Sequence, residues 1–180
     1  AKQNPDVPSC MPDKNNADKR IKTVVKIRTF VGSNGTALYK ITSTKKNNTV
    51  SYFQNLEKLR TTVKIPASIK YKGVSYKVTS IGKRAFCKNS KLEKVVLGKN
   101  ITNVNRKAFY QCNNLKNVKL NKKLSIIEDG AFSKCVKLQN IAIPKNVKWI
   151  GNKTFCGCKN LRYILIKSNQ LNKKRIGKDS

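Results

Sequence analysis

Histidine is absent from this sequence of 180 residues, and acidic side chains are scarce: 8 Asp and Glu stand against 40 Lys and Arg. Histidine is the one side chain that ordinarily titrates near neutral pH, so its absence removes the usual general base, the His-assisted nucleophile and the commonest metal ligand. The phosphate-cradling loop GxxxxGK[ST] is also missing. These absences predict that the protein is not an enzyme and uses no cofactor.

Long apolar runs are missing as well. No stretch of 18 or more apolar residues occurs, which predicts that the chain has no integral membrane segment. Residues 1–20, AKQNPDVPSCMPDKNNADKR, also lack the apolar middle of a signal peptide. Their Pro, Asp, Asn and Lys content predicts a mobile leader, and it fits a mature chain from which a signal peptide has been removed.

The excess of cations gives a formal net charge of +32. Lysines outnumber arginines 33 to 7, which argues against shaped recognition of phosphates or bases because the planar guanidinium is the usual tool for that task. A diffuse ammonium coat attracts anions through solution. Two interpretations stay open, since a biased composition or a need for solubility would give the same coat as a functional polyanion site.

An internal repeat of 23 residues is the strongest pattern in the chain. It carries six apolar columns, where a column means the residues at equivalent positions of successive repeats. Such units stack on one another, because one unit cannot bury its own apolar face. The columns are Val78, Ile101, Leu124 and Val147; Ile81, Val104, Ile127 and Ile150; Phe86, Phe109, Phe132 and Phe155; Leu92, Leu115, Leu138 and Leu161; Val95, Val118, Ile141 and Ile164; and Leu97, Leu120, Ile143 and Ile166.

Spacing within one unit predicts its local structure. In LxxVxL the last two apolar residues are two apart, as in a strand with one buried face, whereas IxxxAF has the spacing of a turn or a short helical corner. Units stacked at about 4.8 Å would form parallel sheets around an apolar interior. The sequence therefore predicts a mainly β solenoid.

These residues also carry a family resemblance. The units VTSIGKRAFCKNSKLEKVVL, ITNVNRKAFYQCNNLKNVKL, LSIIEDGAFSKCVKLQNIAI and VKWIGNKTFCGCKNLRYILI resemble the BspA-like, or Treponema-type, leucine-rich repeat. Departures from its pattern are small: Asn89 replaces a Cys, Asn105 and Glu128 replace Gly, and Thr154 replaces Ala. The resemblance implies a leucine-rich repeat solenoid in a non-catalytic interaction module, located extracellularly or at the cell surface.

The repeats divide the chain into five expected parts. Residues 1–20 form the leader, residues 21–60 a β-rich cap with a hairpin at Gly32–Gly35, and residues 61–77 a partial repeat with a hairpin inserted around Gly73. Residues 78–167 hold four leucine-rich repeats. Residues 168–180 begin another unit, so we expect the parent protein to continue. A cap is expected because a solenoid must cover the apolar end of its first repeat.

Cysteines follow the repeat pattern. Cys112, Cys135 and Cys158 share one column with Asn89, and this Asn/Cys exchange predicts a buried structural turn residue that hydrogen-bonds backbone. Cys87 and Cys156 lie three repeats apart, roughly 14 Å, and cannot bond each other. Cys10 is left able to pair with either of them. Cys156-Gly157-Cys158 is not a CxxC pair, so no metal site is predicted.

Binding is predicted on the outward side of the LxxVxL strands. A parallel sheet on the inner face of a curved solenoid is an extended platform, although these residues could equally serve only to shield the neighbouring strands. Trp149 lies on a different face and favours lateral packing over a role as binding anchor, and the adjacent acids Glu128 and Asp129 are expected to be solvated. The predicted face consists of Lys94, Asn117, Asn140 and Tyr163 in one column and Val96, Lys119, Ala142 and Leu165 in the next.

Two classes of partner remain open. The resemblance implies adhesion to host or cell-surface proteins, with protein or glycan partners on a cell surface or matrix. The charge alone implies a polyanion binder for sulfated glycan, nucleic acid or anionic cell-wall polymer, whose binding would weaken steeply with salt. The oligomeric state stays open.

Overall fold

A computed structural model describes residues 29–45, 47–172 and 175–179. These residues form strands joined by turns, and no helix occurs among them. The corners left open as turns or short helices are therefore turns. The predicted leader, including Cys10, lies outside the described residues. The strands are β1 (Thr29–Val31), β2 (Ala37–Ser43), β3 (Thr49–Asn55), β4 (Thr62–Lys64), β5 (Ser68–Tyr71), β6 (Val74–Ile81), β7 (Lys94–Val96), β8 (Asn103–Val104), β9 (Asn117–Lys119), β10 (Ile126–Ile127), β11 (Asn140–Ile143), β12 (Trp149–Ile150) and β13 (Tyr163–Ile166).

The N-terminal cap is an antiparallel meander of β1, β2 and β3. Its first turn holds Gly32 and Gly35, as the sequence predicts, and Gly35 adopts a φ of +70° that favours glycine. Strand β3 then pairs in parallel with β6, so that Tyr52 lies opposite Ile81. The cap is thus continuous with the solenoid sheet and covers its first repeat.

The second predicted hairpin is formed by β5 and β6, which pair antiparallel across Lys72 and Gly73. Both turn residues have positive φ, at 48° and 77°. Strand β6 also pairs in parallel with β8, so the hairpin is attached to the first repeat rather than separate from it.

Each repeat contributes two short strands to two different parallel ladders. The Ile or Val before the corner lies in the ladder β6–β8–β10–β12, in which Ile81, Val104, Ile127 and Ile150 pair in register. The LxxVxL segments give β7, β9, β11 and β13 on another side of the coil, and β4 precedes β7. The two-residue alternation of LxxVxL turns its apolar residues inward, which fixes this register.

The phenylalanine column forms the axis of the core. Ring centroids of Phe86, Phe109, Phe132 and Phe155 are 4.9, 5.3 and 5.9 Å apart in succession, with interplanar angles of 13°, 1° and 4°. Tyr52 of the cap extends the stack at 5.2 Å from Phe86. The cap therefore supplies the aromatic ring that a preceding repeat would otherwise provide.

Two positions in each corner turn take left-handed backbone. The first column has φ between 54° and 60°, and the second between 57° and 75°. Glycine occupies each column once, at Gly130 and Gly157. At the other positions of the two columns a non-glycine residue adopts this backbone conformation at a cost of about 1–2 kcal/mol. Lys107 and Lys134 place their ammonium groups 5.3 and 5.6 Å from the ring centroid of Tyr110, and such contacts offset part of that cost.

Burial follows the predicted columns except at Val118 and Leu120 of the second repeat, which are half-buried, and at the last repeat. Ile166 belongs to a column expected to be buried, but it is 45% exposed, and Leu161 and Ile164 are only partly buried. Strand β13 is the last of its sheet, with β11 on one side only, so its side chains lack the cover that interior repeats receive. The repeat pattern alone does not distinguish an end strand from an interior one.

Candidate binding face

The outward residues of the LxxVxL strands lie side by side in two columns. Lys94 pairs with Asn117 and Val96 with Lys119 between β7 and β9. Asn140 pairs with Tyr163 and Ala142 with Leu165 between β11 and β13. Seven of these eight predicted residues are exposed, and Val96 is half-buried.

The face is divided in the middle. Strands β4, β7 and β9 form one sheet, and β11 and β13 form another, with no ladder between β9 and β11 in the described chain. Val118 of β9 is only half-buried, whereas its equivalents Val95 and Ile141 are buried. The expected continuous sheet is therefore two adjoining sheets, and the candidate face has two halves.

Strand β4 adds two residues that the predicted face omitted. Thr62 pairs with Lys94 and Lys64 with Val96, and both side chains are exposed. The sequence does indicate that β4 is equivalent to the later LxxVxL strands, because Val63-Lys64-Ile65-Pro66 matches Ile141-Ala142-Ile143-Pro144. The inserted hairpin interrupts the 23-residue spacing, so only the strand pairing extends the face to β4.

The two halves differ in chemistry. The β4–β7–β9 half carries three exposed cations, Lys64, Lys94 and Lys119. The β11–β13 half carries Ala142, Tyr163 at 60% exposure and Leu165 at 50% exposure. Such aromatic and apolar groups beside cations fit a protein surface that offers both carboxylates and an apolar contact.

One ion pair borders the cationic half. Lys116 Nζ lies 3.2 Å from Glu93 Oε2, next to Lys94 and Asn117. Both side chains are about 45% exposed, so the pair adds little stability. It neutralises Lys116 locally, whereas the part of the chain that the structure describes shows no ion pair of Lys64, Lys94 or Lys119.

A second set of lysines follows the strands on a different edge. Lys99, Lys122 and Lys145 form one column of exposed residues in the turns after β7, β9 and β11. Asparagines fix these turns: Asn121 Nδ2 donates to Gly98 O and Ile101 O at 2.9 Å, and Asn146 Nδ2 donates to Lys122 O at 2.7 Å. We call Lys99, Lys122 and Lys145 the turn lysines. They are presented by rigid backbone.

The cysteine column is structural, as predicted. Cys112, Cys135 and Cys158 are buried free thiols whose Sγ atoms donate to carbonyl oxygens of Phe86, Phe109 and Phe132 at 3.0–3.2 Å. Burial raises the pKa of Cys112 to about 12 and that of Cys158 to about 11, and it raises the pKa of Cys135 well above its ordinary value. Thiols held protonated in this way are poor nucleophiles and poor metal ligands.

The remaining cysteines differ from one another. Cys156 is an exposed free thiol, whereas Cys87 is in a disulfide. They do not bond each other, which agrees with their separation by three repeats. The pairing predicted for Cys10 lies outside the described residues.

The adjacent acids are not simply solvated, which corrects the sequence prediction. Glu128 Oε2 accepts the Arg106 N–H at 2.7 Å, and Asp129 Oδ1 accepts the Asn152 N–H at 2.8 Å. Asp129 Oδ2 also lies 3.7 Å from the Arg106 guanidinium. The two carboxylates therefore connect three successive repeats.

Trp149 lies on β12, in the other ladder, opposite Ile126. It is 44% exposed and lies between buried Val147 and Ile150 in the sequence, and its lateral packing stays a prediction. This makes it an exposed aromatic residue of the same repeat as Tyr163 but on a different face.

Within the described ranges, no group of three or more His, Cys, Asp or Glu side chains could hold a metal ion. No helix there is long and apolar enough to cross a membrane.

Comparisons with known proteins agree with the repeat geometry. The profile of the BspA type leucine-rich repeat region matches residues 79–179 in 6 copies. A leucine-rich repeat protein from Bacteroides capillosus is 29% identical with a TM-score of 0.69, and the match covers 77% of this chain and 98% of that one. No curated protein sequence matches.

Two more distant structures share the fold. A leucine-rich cell surface protein from Faecalibacterium prausnitzii is 19% identical with a TM-score of 0.56, over 77% of this chain and 42% of that one. The pneumococcal vaccine antigen PcpA is 22% identical with a TM-score of 0.60, over 79% of this chain and 33% of that one. Both proteins are much longer than this chain.

Proposed function

Because the chain belongs to the BspA-type leucine-rich repeat family, we propose that it is an adhesion module that binds a protein partner at the cell surface or in the extracellular matrix. The family and its structural relatives are those of interaction modules rather than of enzymes. Extracellular or cell-surface location is part of the proposal, and the description of one structural relative as a cell surface protein supports it.

One observation carries the proposal: the strand face has a cationic half beside an apolar half. Tyr163 and Leu165 are exposed at 60% and 50% on β13, whose backbone is already ordered by its pairing with β11, so less conformational entropy is lost on binding. Lys64, Lys94 and Lys119 would speed encounter with an acidic partner. The partner that fits is a protein with a carboxylate-rich patch next to an apolar one.

A panel of matrix proteins and of heparin and DNA tests this at low and at about 0.3 M salt, because contacts made only by phosphate neutralisation lose orders of magnitude over such a range. Binding to one protein that survives at the higher salt supports the proposal. Binding to every polyanion at low salt and to nothing at higher salt contradicts it.

Substitutions then locate the contact. Tyr163→Ala and Leu165→Ala should each weaken binding about 10-fold or more, if the contact resembles other buried aromatic or apolar anchors. Trp149→Ala is the matched control, since it removes an exposed aromatic of the same repeat from another face. Equal loss in all three variants would remove the strand face as the site.

The second candidate function is polyanion binding, and the turn lysines favour it. Lys99, Lys122 and Lys145 lie one strand spacing apart, about 4.8 Å, on fixed turns. Their like charges repel one another, and a bound anionic ligand would relieve that repulsion. Candidate ligands are sulfated glycan, nucleic acid and anionic cell-wall polymer.

Two triple variants of equal charge separate the candidates. Replacing Lys64, Lys94 and Lys119 by Ala and replacing the turn lysines by Ala each lower the net charge by three. A selective loss in the first variant supports the protein-binding face. A selective loss of heparin or DNA binding in the second supports the polyanion function, and equal losses indicate that only total charge matters.

A further inference from the structure

A groove of about 350 Å³ lies where the cap meets the first repeat. It is lined by Phe53, Phe86, Cys87 and Asn89, and by the cations Lys58 and Lys83. The lining thus combines apolar and cationic residues. A ligand complementary to this lining would be an extended peptide with an acidic residue.

Asn89 is the first member of the cysteine column and lacks the partner that the others have. Each later member donates to the phenylalanine carbonyl 26 residues earlier: Cys112 to Phe86, Cys135 to Phe109 and Cys158 to Phe132. The ring that precedes Phe86 in the stack belongs to Tyr52, whose backbone lies on β3 and pairs with Ile81 rather than forming a corner. The cap strand has therefore replaced the corner that would have supplied the carbonyl.

The consequence is an unsatisfied donor. Asn89 is 4% exposed, and its Nδ2 has no hydrogen-bond partner among the described residues. A buried amide left in this way is destabilising, because its lost hydration is not replaced by a protein hydrogen bond. Its Oδ1 is satisfied, because it accepts the Lys91 N–H at 3.2 Å. The open donor marks where a carbonyl or carboxylate oxygen belongs.

The disulfide at Cys87 points to the occupant. Cys112, Cys135, Cys156 and Cys158 are free, and the sequence has six cysteines, so an intrachain bond to Cys87 requires Cys10. Charge agrees near Cys10, because residues 3–13 hold Asp6 and Asp13 and no Lys or Arg. The groove offers Lys58 and Lys83 to them.

We propose that the leader segment around Cys10 occupies this groove and replaces the missing corner. A leader oxygen accepts the hydrogen bond from Asn89 Nδ2, and a Cys10–Cys87 disulfide holds the segment in place. The bond forms when the two thiols lose two protons and two electrons to a thiol–disulfide exchange oxidant, whose own disulfide is reduced to two thiols. The leader then completes the cover that the cap gives to the first repeat.

Peptide mapping of the full chain under non-reducing conditions tests the bond. Trypsin should release residues 3–14 joined to residues 85–88, and four of the six cysteines should react as free thiols after unfolding. A free Cys10, or Cys10 joined to Cys156, overturns the proposal.

A second measurement separates a bound segment from a mere tether. Asn89→Ala should lower the urea midpoint of the full chain more than it lowers the midpoint of the Cys10→Ser variant, which has lost the covalent attachment. Asn100→Ala is the matched control, because Asn100 Nδ2 already donates to Ala67 O at 3.0 Å. Its effect should be the same in both backgrounds. If Asn89→Ala lowers the urea midpoint equally in both backgrounds, the leader does not bind in the groove through Asn89, even if the disulfide is present.

Amine labelling gives a readout that does not depend on stability. Cys10→Ser, or reduction of the native protein, should raise the labelling rate of Lys58 and Lys83 severalfold, while Lys122 in a distant turn keeps its rate. Unchanged rates at Lys58 and Lys83 would show that the leader does not cover the groove.

Discussion

The stacked phenylalanines make a quantitative prediction about coupling between repeats. Phe109→Leu keeps most of the apolar volume but removes two ring pairs, with Phe86 and with Phe132. Phe132→Leu likewise removes the pairs with Phe109 and Phe155. An aromatic pair is worth about 0.5–1.5 kcal/mol beyond its buried area, so each variant should lose about 1–3 kcal/mol from this source.

The double variant distinguishes ring stacking from general apolar packing. Phe109→Leu with Phe132→Leu removes three distinct pairs, whereas the two single variants together count four. The double variant should therefore be less destabilised than the sum by one pair, about 0.5–1.5 kcal/mol. Phe86→Leu with Phe132→Leu is the matched control, because these rings share no pair and their effects should add.

Urea unfolding at constant ionic strength, followed by far-ultraviolet circular dichroism, measures these free energies. Constant ionic strength matters because the net charge of +32 makes stability depend on salt. Additive effects in the adjacent pair, or equal non-additivity in the separated pair, would refute the role assigned to ring stacking.

Three further predictions concern single positions. Gly98→Ala should destabilise by about 1–3 kcal/mol, because its Cβ would lie 2.6 Å from Ile65 O and Pro66 O; Lys99→Ala, one residue on, should leave the unfolding midpoint nearly unchanged. Burial raises the pKa of Cys112 to about 12. The stability that this thiol contributes is therefore fully present below the unfolded thiol pKa of about 9 and is lost as pH rises toward 12. Cys112→Ala should reduce the fall of the unfolding free energy over that range by about 1.4 kcal/mol per pH unit, and an unchanged slope would contradict the assignment. Cys156 should react with a thiol reagent in the native state while Cys112 and Cys135 react only after unfolding, as mass spectrometry of labelled peptides would show.

Much of the candidate site could be predicted from spacing. The two-residue alternation around Val95 and Ile141 places Lys94 and Asn140 outward, and the strand register pairs them with their neighbours as expected. The division between β9 and β11 could not be predicted, because it depends on how far neighbouring backbones separate, and Val118 fits the apolar pattern as well as Ile141 does. Whether the face binds a partner stays a prediction.

The exposure of residues at the ends of the repeat stack could not be predicted from the repeat pattern either. The pattern predicts that Ile166 is a core residue, but its exposure depends on the presence of a neighbouring strand rather than on residue type. Asn89 has the same column position as the cysteines, yet its Nδ2 has no partner within the described ranges, because the cap strand β3 rather than a corner precedes the first repeat.

The sequence by itself determined the repeat, its inward columns and its two hairpins, because side-chain periodicity dictates which residues a stacked unit must bury. Only the tertiary structure decided how the ends of the stack are covered and where its sheets separate. Those features depend on contacts between residues far apart in the chain, as when Tyr52 of the cap extends the phenylalanine stack. No local pattern at Tyr52 specifies that contact, since it arises from the parallel pairing of β3 with β6.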